Sequence, residues 1–161
     1  MYNNNNSFSK MKSKGKRGET AVKDYYIKKG SEVIDVSEDR DFQKMDIDLI
    51  IDDNFVEVKT QSSIAKSQKI ALELETNYYN DLYRKGWFYS TEANILIFYD
   101  IENNIAYSMS TDELRKLFDK YRFSNEIEYY YFDEDTKVST LVYIPIELLK
   151  SQLNSFKANN Y

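Results

Sequence analysis

The residues able to do chemistry concentrate in the run Asp46-Ile-Asp-Leu-Ile-Ile-Asp-Asp-Asn-Phe-Val-Glu-Val-Lys-Thr60. Glu57 and Lys59 are two apart in an alternating stretch, so their side chains share one face of a strand, about 7 Å apart. Val56 and Val58 take the other face. Asp48 lies on a preceding alternating stretch. Asp52 and Asp53 read as turn residues, with Asp53-Asn54 the turn signal, and an antiparallel hairpin about them brings Asp48 beside Glu57. Asp46 shares the face of Asp48, so either can be that partner. Two facing carboxylates make an oxygen-lined site of the kind Mg²⁺ accepts. A lysine at its edge can orient or help deprotonate a water, or steady charge on a phosphate. Metal-assisted phosphodiester hydrolysis needs these parts and needs neither His nor Cys.

That matters because the 161 residues contain no His and no Cys. The two absences exclude a Cys or His nucleophile–base system, a His–Cys zinc site and an imidazole proton shuttle. Chemistry is left to carboxylates, Lys, Tyr, Ser/Thr or a metal held by oxygen.

The surrounding pattern supplies elements to carry these residues. Val22, Tyr25 and Tyr26 predict a helix from about Arg17 to Lys29, stopped by Gly30. Glu19 lies on the same stripe as Val22 and Tyr26, at the open end of that helix. Strands are predicted at Glu32–Val36, Asp46–Asp52 and Phe55–Thr60, with residues 37–44 a polar loop between the first two. Lys69–Glu75 alternates again, with Glu73 and Glu75 on one face. Residues 77–85 read as a short helix ending at Gly86. Further strands are predicted at Asn94–Tyr99 and Ile105–Ser108. Ser110 and Glu113 form a capping box ahead of Leu114, Leu117, Phe118 and Tyr121. Ile127–Phe132 and Lys137–Ile144 form a hairpin, and Pro145 opens a final helix through Leu149, Leu153 and Phe156. The order predicts an α/β (α+β) fold, a mixed central β-sheet flanked by helices.

Length and composition fit one domain at residues 15–161, preceded by a mobile basic arm at residues 1–14. Net charge is −5, yet residues 1–30 carry +6 and the remainder −11. Lys10, Lys12, Lys14, Lys16 and Arg17 are therefore candidates for contact with a phosphate backbone. No apolar run approaches a membrane span, and no secretory signal pattern opens the chain, so a cytoplasmic protein without membrane attachment is expected. The 15 Tyr read as strand formers rather than a base-stacking platform, and Trp87 as a packing anchor.

Asp48 followed by Glu57-Val-Lys59 resembles the D…(D/E)-x-K signature of the PD-(D/E)xK nuclease superfamily. Lys16-Arg-Gly-Glu19, opening a helix, resembles the basic-Gly-Glu start of archaeal-type Holliday-junction resolvases. Ile70-Ala-Leu-Glu-Leu-Glu75, Gly86-Trp-Phe and Ile144-Pro-Ile are similar to segments of small phage-encoded members. The resemblance covers residues 14–100 well and the rest loosely, and it lacks the Pro that often precedes the first Asp. It implies a restriction-endonuclease-like core and a DNA nuclease dependent on Mg²⁺ or Mn²⁺, with no small-molecule cofactor. It also implies products with a 5′-phosphate, selectivity for structures such as junctions, and a homodimer. Asp48 is preferred to Asp46 because the family's Asp precedes an apolar triplet, here Leu49-Ile50-Ile51. The implied roles are Asp48, Glu57 and the Val58 carbonyl on the metal, Lys59 on the attacking water, Glu19 completing the site, and Gln61 near the scissile phosphate. A different expectation is a catalytically inactive nuclease-fold binding protein or inhibitor of a host or rival protein, its acidity mimicking DNA.

Overall fold

The computed structural model describes residues 4–80, 82–134 and 136–161, with the backbone alone at residues 4–8 and Lys10. In chain order the first half holds α1 (Asn4–Lys28), β1 (Val33–Asp35), α2 (Arg40–Lys44), β2 (Leu49–Ile51), β3 (Asn54–Gln61), α3 (Ile64–Ser67), β4 (Lys69–Tyr78) and β5 (Tyr83–Lys85). The second half holds α4 (Trp87–Ser90), β6 (Ile95–Asp100), β7 (Ile105–Ser110), α5 (Thr111–Tyr121), β8 (Glu128–Glu134), β9 (Lys137–Pro145), α6 (Ile146–Gln152) and β10 (Lys157–Asn160). The fold is mixed α+β. A six-stranded sheet runs β1-β2-β3-β6-β7-β10, and a four-stranded sheet runs β5-β4-β9-β8. Every pairing is antiparallel except β3 with β6, which makes the larger sheet mixed.

Alternation along β3 and β6 divides the core. Val56, Val58, Ile97 and Tyr99 face α1 and pack with Val22, Leu49, Ile51 and Ala106. Leu96 and Phe98 face the other way, into the main core. There they meet Ile70 and Leu72 of β4, Val142 and Ile144 of β9, Leu114 and Phe118 of α5, and Leu149 of α6. Glu57 and Lys59 are register partners of Leu96 and Phe98, so the strand's charged face is turned toward the second sheet. α1 meets the Thr60 side chain of β3 at Gly18, where a Cβ would lie 1.8 Å from Thr60 Oγ1. Only glycine permits that approach. The predicted stop at Gly30 holds, with φ at +88° and its N–H donating to the Ile27 carbonyl.

Five expectations are corrected. α1 starts at Asn4 rather than near Arg17, so residues 4–14 of the expected arm are its first turns, while residues 1–3 lie outside the described residues. Glu19 consequently sits within the helix, not at an open end. The 37–44 segment holds α2, because the Asp39 carboxylate caps the Asp41 N–H at 2.9 Å. Among the described residues of 77–85 there is no helix. β4 continues to Tyr78 because β9 offers partners out to Lys137, and Tyr83–Lys85 returns as β5. The last helix ends at Gln152, and Lys157–Asn160 instead covers the open edge of β7. No described helix is long and apolar enough to cross a membrane.

Candidate active site

The site starts from the hairpin β2–β3. Asp52 and Asp53 both adopt positive φ, 46° and 64°, the geometry of a two-residue turn that matches strand twist. The turn sets Leu49 opposite Val56, so Asp48 and Glu57 fall next in register. Asp48 N–H still donates to the Val56 carbonyl at 2.9 Å. Beyond that point the Asp48 side chain takes over from the strand, and its Oδ2 accepts the Val58 N–H at 2.9 Å. That hydrogen bond aims the carboxylate along β3, within hydrogen-bonding reach of the Glu57 carboxyl.

Glu57 is 4% exposed. Lys59 folds back along its own strand, and its ammonium forms an ion pair with Glu57 Oε1. The two-residue spacing, about 7 Å in a bare strand, is thereby closed. Burial raises the Glu57 pKa to about 8. The Lys59 charge opposes that rise and the Asp48 charge adds to it. Asp48 is raised as well, chiefly by burial, with Glu19 acting in the same direction and the Val58 N–H against it. For Lys59, burial works against the ammonium, but the charges of Glu57, Asp48 and Asp46 outweigh it and hold its pKa above the usual lysine value. The result is one cation among carboxylates that outnumber it, paired with a glutamate that water scarcely reaches.

Glu19 approaches from α1. Its Oε2 is buried and accepts no directed hydrogen bond, with Lys16 Nζ 3.2 Å away. Glu19 also lines a cleft of about 410 Å³ with Lys12, Lys16, Ser37, Glu38 and Gln43. Among the described residues no three carboxylates close into a cage of their own. The oxygens that could meet a cation here are those of the Asp48–Glu57 pair and the Val58 carbonyl next to Glu57 in sequence. Such a set suits Mg²⁺, which commonly binds through one or two carboxylates and keeps several waters or phosphate oxygens.

The basic residues of α1 have varied employment. Lys16 Nζ donates to Ser37 Oγ at 2.7 Å and lies 3.8 Å from Asp35. Burial would raise Asp35, but Ser37, Lys23 and Lys16 hold its pKa down at about 2. Lys14 donates to Ser62 Oγ beyond the end of β3. Arg17 lines a separate cavity of about 620 Å³ with Thr20, Asp24 and Tyr99, which includes none of Asp48, Glu57 or Lys59. The Lys10 side chain lies outside the described residues. Gln61 has an occupation the sequence did not suggest. Its amide donates to the Ala71 carbonyl at 2.7 Å and accepts the Ala71 N–H at 3.2 Å, tying β3 to β4.

The sequence revealed neither the contact of Trp87 with the cluster nor the part played by Asp100. Trp87, expected to be a packing anchor, presents its ring to Lys59 Nζ at 4.7 Å from the centroid. Its signal was being the single Trp in the chain, placed directly after a Gly. Asp100, fully buried at the end of β6, accepts from the Ala65 N–H at 2.8 Å, the Glu102 N–H at 3.1 Å and Asn103 Nδ2 at 2.9 Å. Burial alone would raise its pKa, but these donors lower it. Asp100 thereby fixes the chain just after the strand that carries Glu57 and Lys59.

No family model matches the chain, and no curated protein matches it. Among solved structures, a bacterial homing endonuclease, I-Ssp6803I, aligns with a TM-score of 0.47 and 21% sequence identity, over 63% of this chain and 69% of that one. A likeness of that size assigns no activity to this chain.

Proposed function

We propose that this protein is a divalent-metal-dependent deoxyribonuclease of the PD-(D/E)xK type, which hydrolyses phosphodiester bonds to leave 5′-phosphates. One observation carries the reading. A glutamate 4% exposed to solvent is held against a second carboxylate and a lysine, with its pKa raised to about 8. A buried acid pair of this kind is costly to the fold unless a cation meets it. Strongly shifted groups gathered in this way are characteristic of functional sites.

Asp48 and Glu57 would hold the metal, with the Val58 carbonyl as a further oxygen. When bound, Mg²⁺ or Mn²⁺ supplies Lewis acidity toward the scissile phosphate and toward water. Asp48 is oriented for its part by the Val58 N–H. The Lys59 ammonium, already drawn to Glu57, stands where it can orient the attacking water and offset charge gathering on the phosphate. Glu19 would complete the site through water. Lys12, Lys14 and Arg17 would follow the DNA backbone, with Lys16 bracing Glu19. Structure-selective cutting, as of a four-way junction, and action as a homodimer belong to the same proposal.

The test uses supercoiled plasmid, single-stranded DNA and a four-way junction, each with Mn²⁺, Mg²⁺ or EDTA. Cleavage that requires the metal and is lost in Lys59→Ala, with folding intact by circular dichroism, is the expected result. A folded wild-type protein that cuts none of them, or a Lys59→Ala variant that cuts normally, rejects the assignment.

A further inference from the structure

The Lys59 side chain does not hold its place through carboxylates alone. α4 begins with Trp87, immediately after Gly86, and the Trp87 ring lies beneath the ammonium. Gly86 is pressed onto β4 at the irregularity between Glu73 and Glu75. Its N–H donates to the Leu74 carbonyl at 2.8 Å, and a Cβ there would fall 2.2 Å from the Glu73 carbonyl oxygen. The other end of the turn is clamped by Arg115 of α5, whose guanidinium donates to the Phe88 carbonyl at 3.0 Å and the Thr91 carbonyl at 2.8 Å. Ser90 donates to Asp46 Oδ2 at 2.7 Å, and Thr91 Oγ1 to the Asp46 carbonyl at 2.9 Å. A four-residue helix could not fix its own first side chain. Here β4, α5 and the Asp46 corner fix it from three sides.

We infer that Trp87 is a positioning residue for Lys59: its ring face holds the ammonium over Glu57 by a cation–π contact. The inference rests on the role given to Lys59 above. A ring that only filled space would need contacts with the core. Trp87 has those, with Phe98 at 6.0 Å and Phe88 at 6.1 Å between centroids, yet it is half-buried and spends a face on the cation. Tryptophan is the best side chain for that purpose, and the contact strengthens out of water.

The experiment has two arms. In the first, kcat and KM for DNA cleavage with Mn²⁺ are compared in wild type, Trp87→Leu and Trp87→Phe. Trp87→Leu is expected to lower kcat about 5- to 30-fold with KM nearly unchanged, and Trp87→Phe to recover most of it. Normal kcat in Trp87→Leu, or a Trp87→Phe variant no better than Trp87→Leu, overturns the inference. The second arm reads the emission of Trp87, the only tryptophan, in Lys59→Met without DNA or metal. Removing the cation from the ring is expected to change emission intensity or maximum, and an unchanged spectrum overturns the contact. This arm needs no cleavage and no variant at Trp87. If wild type cuts nothing, the nuclease reading falls, and emission still decides whether Trp87 holds Lys59.

Discussion

Replacing Glu57 with glutamine should abolish cleavage and stabilise the protein, and the stabilisation should grow with pH. Glu57 titrates from an ordinary 4.5 when unfolded to about 8 in the fold. Below pH 4.5 it is protonated in both states and costs nothing. As pH rises, the unfolded chain ionises freely while the folded one resists, so stability falls until pH passes about 8 and is then level. At about 1.36 kcal/mol per unit, the cost is about 3 kcal/mol at pH 7 and about 1 kcal/mol at pH 5. Glutamine keeps the shape without the charge. For a domain of this size, thermal melts should therefore place Glu57→Gln roughly 6–12 °C above wild type at pH 7 but only about 2–3 °C above it at pH 5. Saturating Mn²⁺ should narrow the gap by stabilising wild type and leaving Glu57→Gln where it was. Cleavage by the variant should drop at least about 100-fold. A melting gap that ignores pH, or a variant less stable than wild type at pH 8, would show that Glu57 is settled by its ion pair, and the argument from a strained acid pair would fail.

Three other outcomes follow from the geometry. Gly18→Ala should cost about 1–3 kcal/mol in urea unfolding, because its Cβ meets Thr60 Oγ1, and Thr60→Ala should recover part of the loss. Asp100→Asn should cost about 2 kcal/mol at pH 7 by weakening three charge-assisted hydrogen bonds. Its pKa is lowered in the fold, so this stability is present above the unfolded value near 3.8, and the gap between wild type and variant should close as pH falls through the folded value. Lys12→Glu with Lys14→Glu should weaken DNA binding in EDTA or Ca²⁺ and flatten the plot of log affinity against log salt by about 0.9 for each phosphate no longer neutralised. An unchanged slope would remove α1 from the DNA path.

What could be read in advance follows the range of the forces involved. The Ser110–Glu113 box marked the start of α5, and Ser110 Oγ does accept the Glu113 N–H. Alternation placed Val56 and Val58 on the core face and set Glu57 and Lys59 together. These signals are local. β10 was not legible, because Lys157–Asn160 is strand only by virtue of an open β7 edge. α2 depends on a single Asp39 cap within a polar stretch. The closing of Lys59 onto a buried Glu57 was not legible for a similar reason. A strand's polar face is ordinarily wet, and only the second sheet and α4, placed by distant sequence, turned this one inward. Gln61 shows the same limit from the other side, since its partner Ala71 belongs to the next sheet.

The choice between Asp46 and Asp48 turns on a backbone torsion that residue identity does not reveal. Four aspartates lie between positions 46 and 53, and three of them adopt positive φ: Asp46 at 52°, Asp52 at 46° and Asp53 at 64°. Aspartate tolerates this region better than most residues, so those three have a backbone reason to be there. Asp52 adds a hydrogen bond from the Glu32 N–H at 2.9 Å, and Asp46 holds Ser90. The turn at Asp46 breaks the alternation that made it seem to share a face with Asp48. Asp48 has no positive φ, and its carboxylate goes to the Val58 N–H and to Glu57. Asparagine also accepts positive φ and keeps one side-chain oxygen. Asp46→Asn should therefore fold normally and cut DNA within a few-fold of wild type. Asp48→Asn should fold as well, since an amide oxygen can still accept from Val58, yet its cleavage should fall by about 100-fold or more. The reverse ranking in a plasmid assay would mean that Asp46 turns toward the metal on binding and that the hairpin does not set the site.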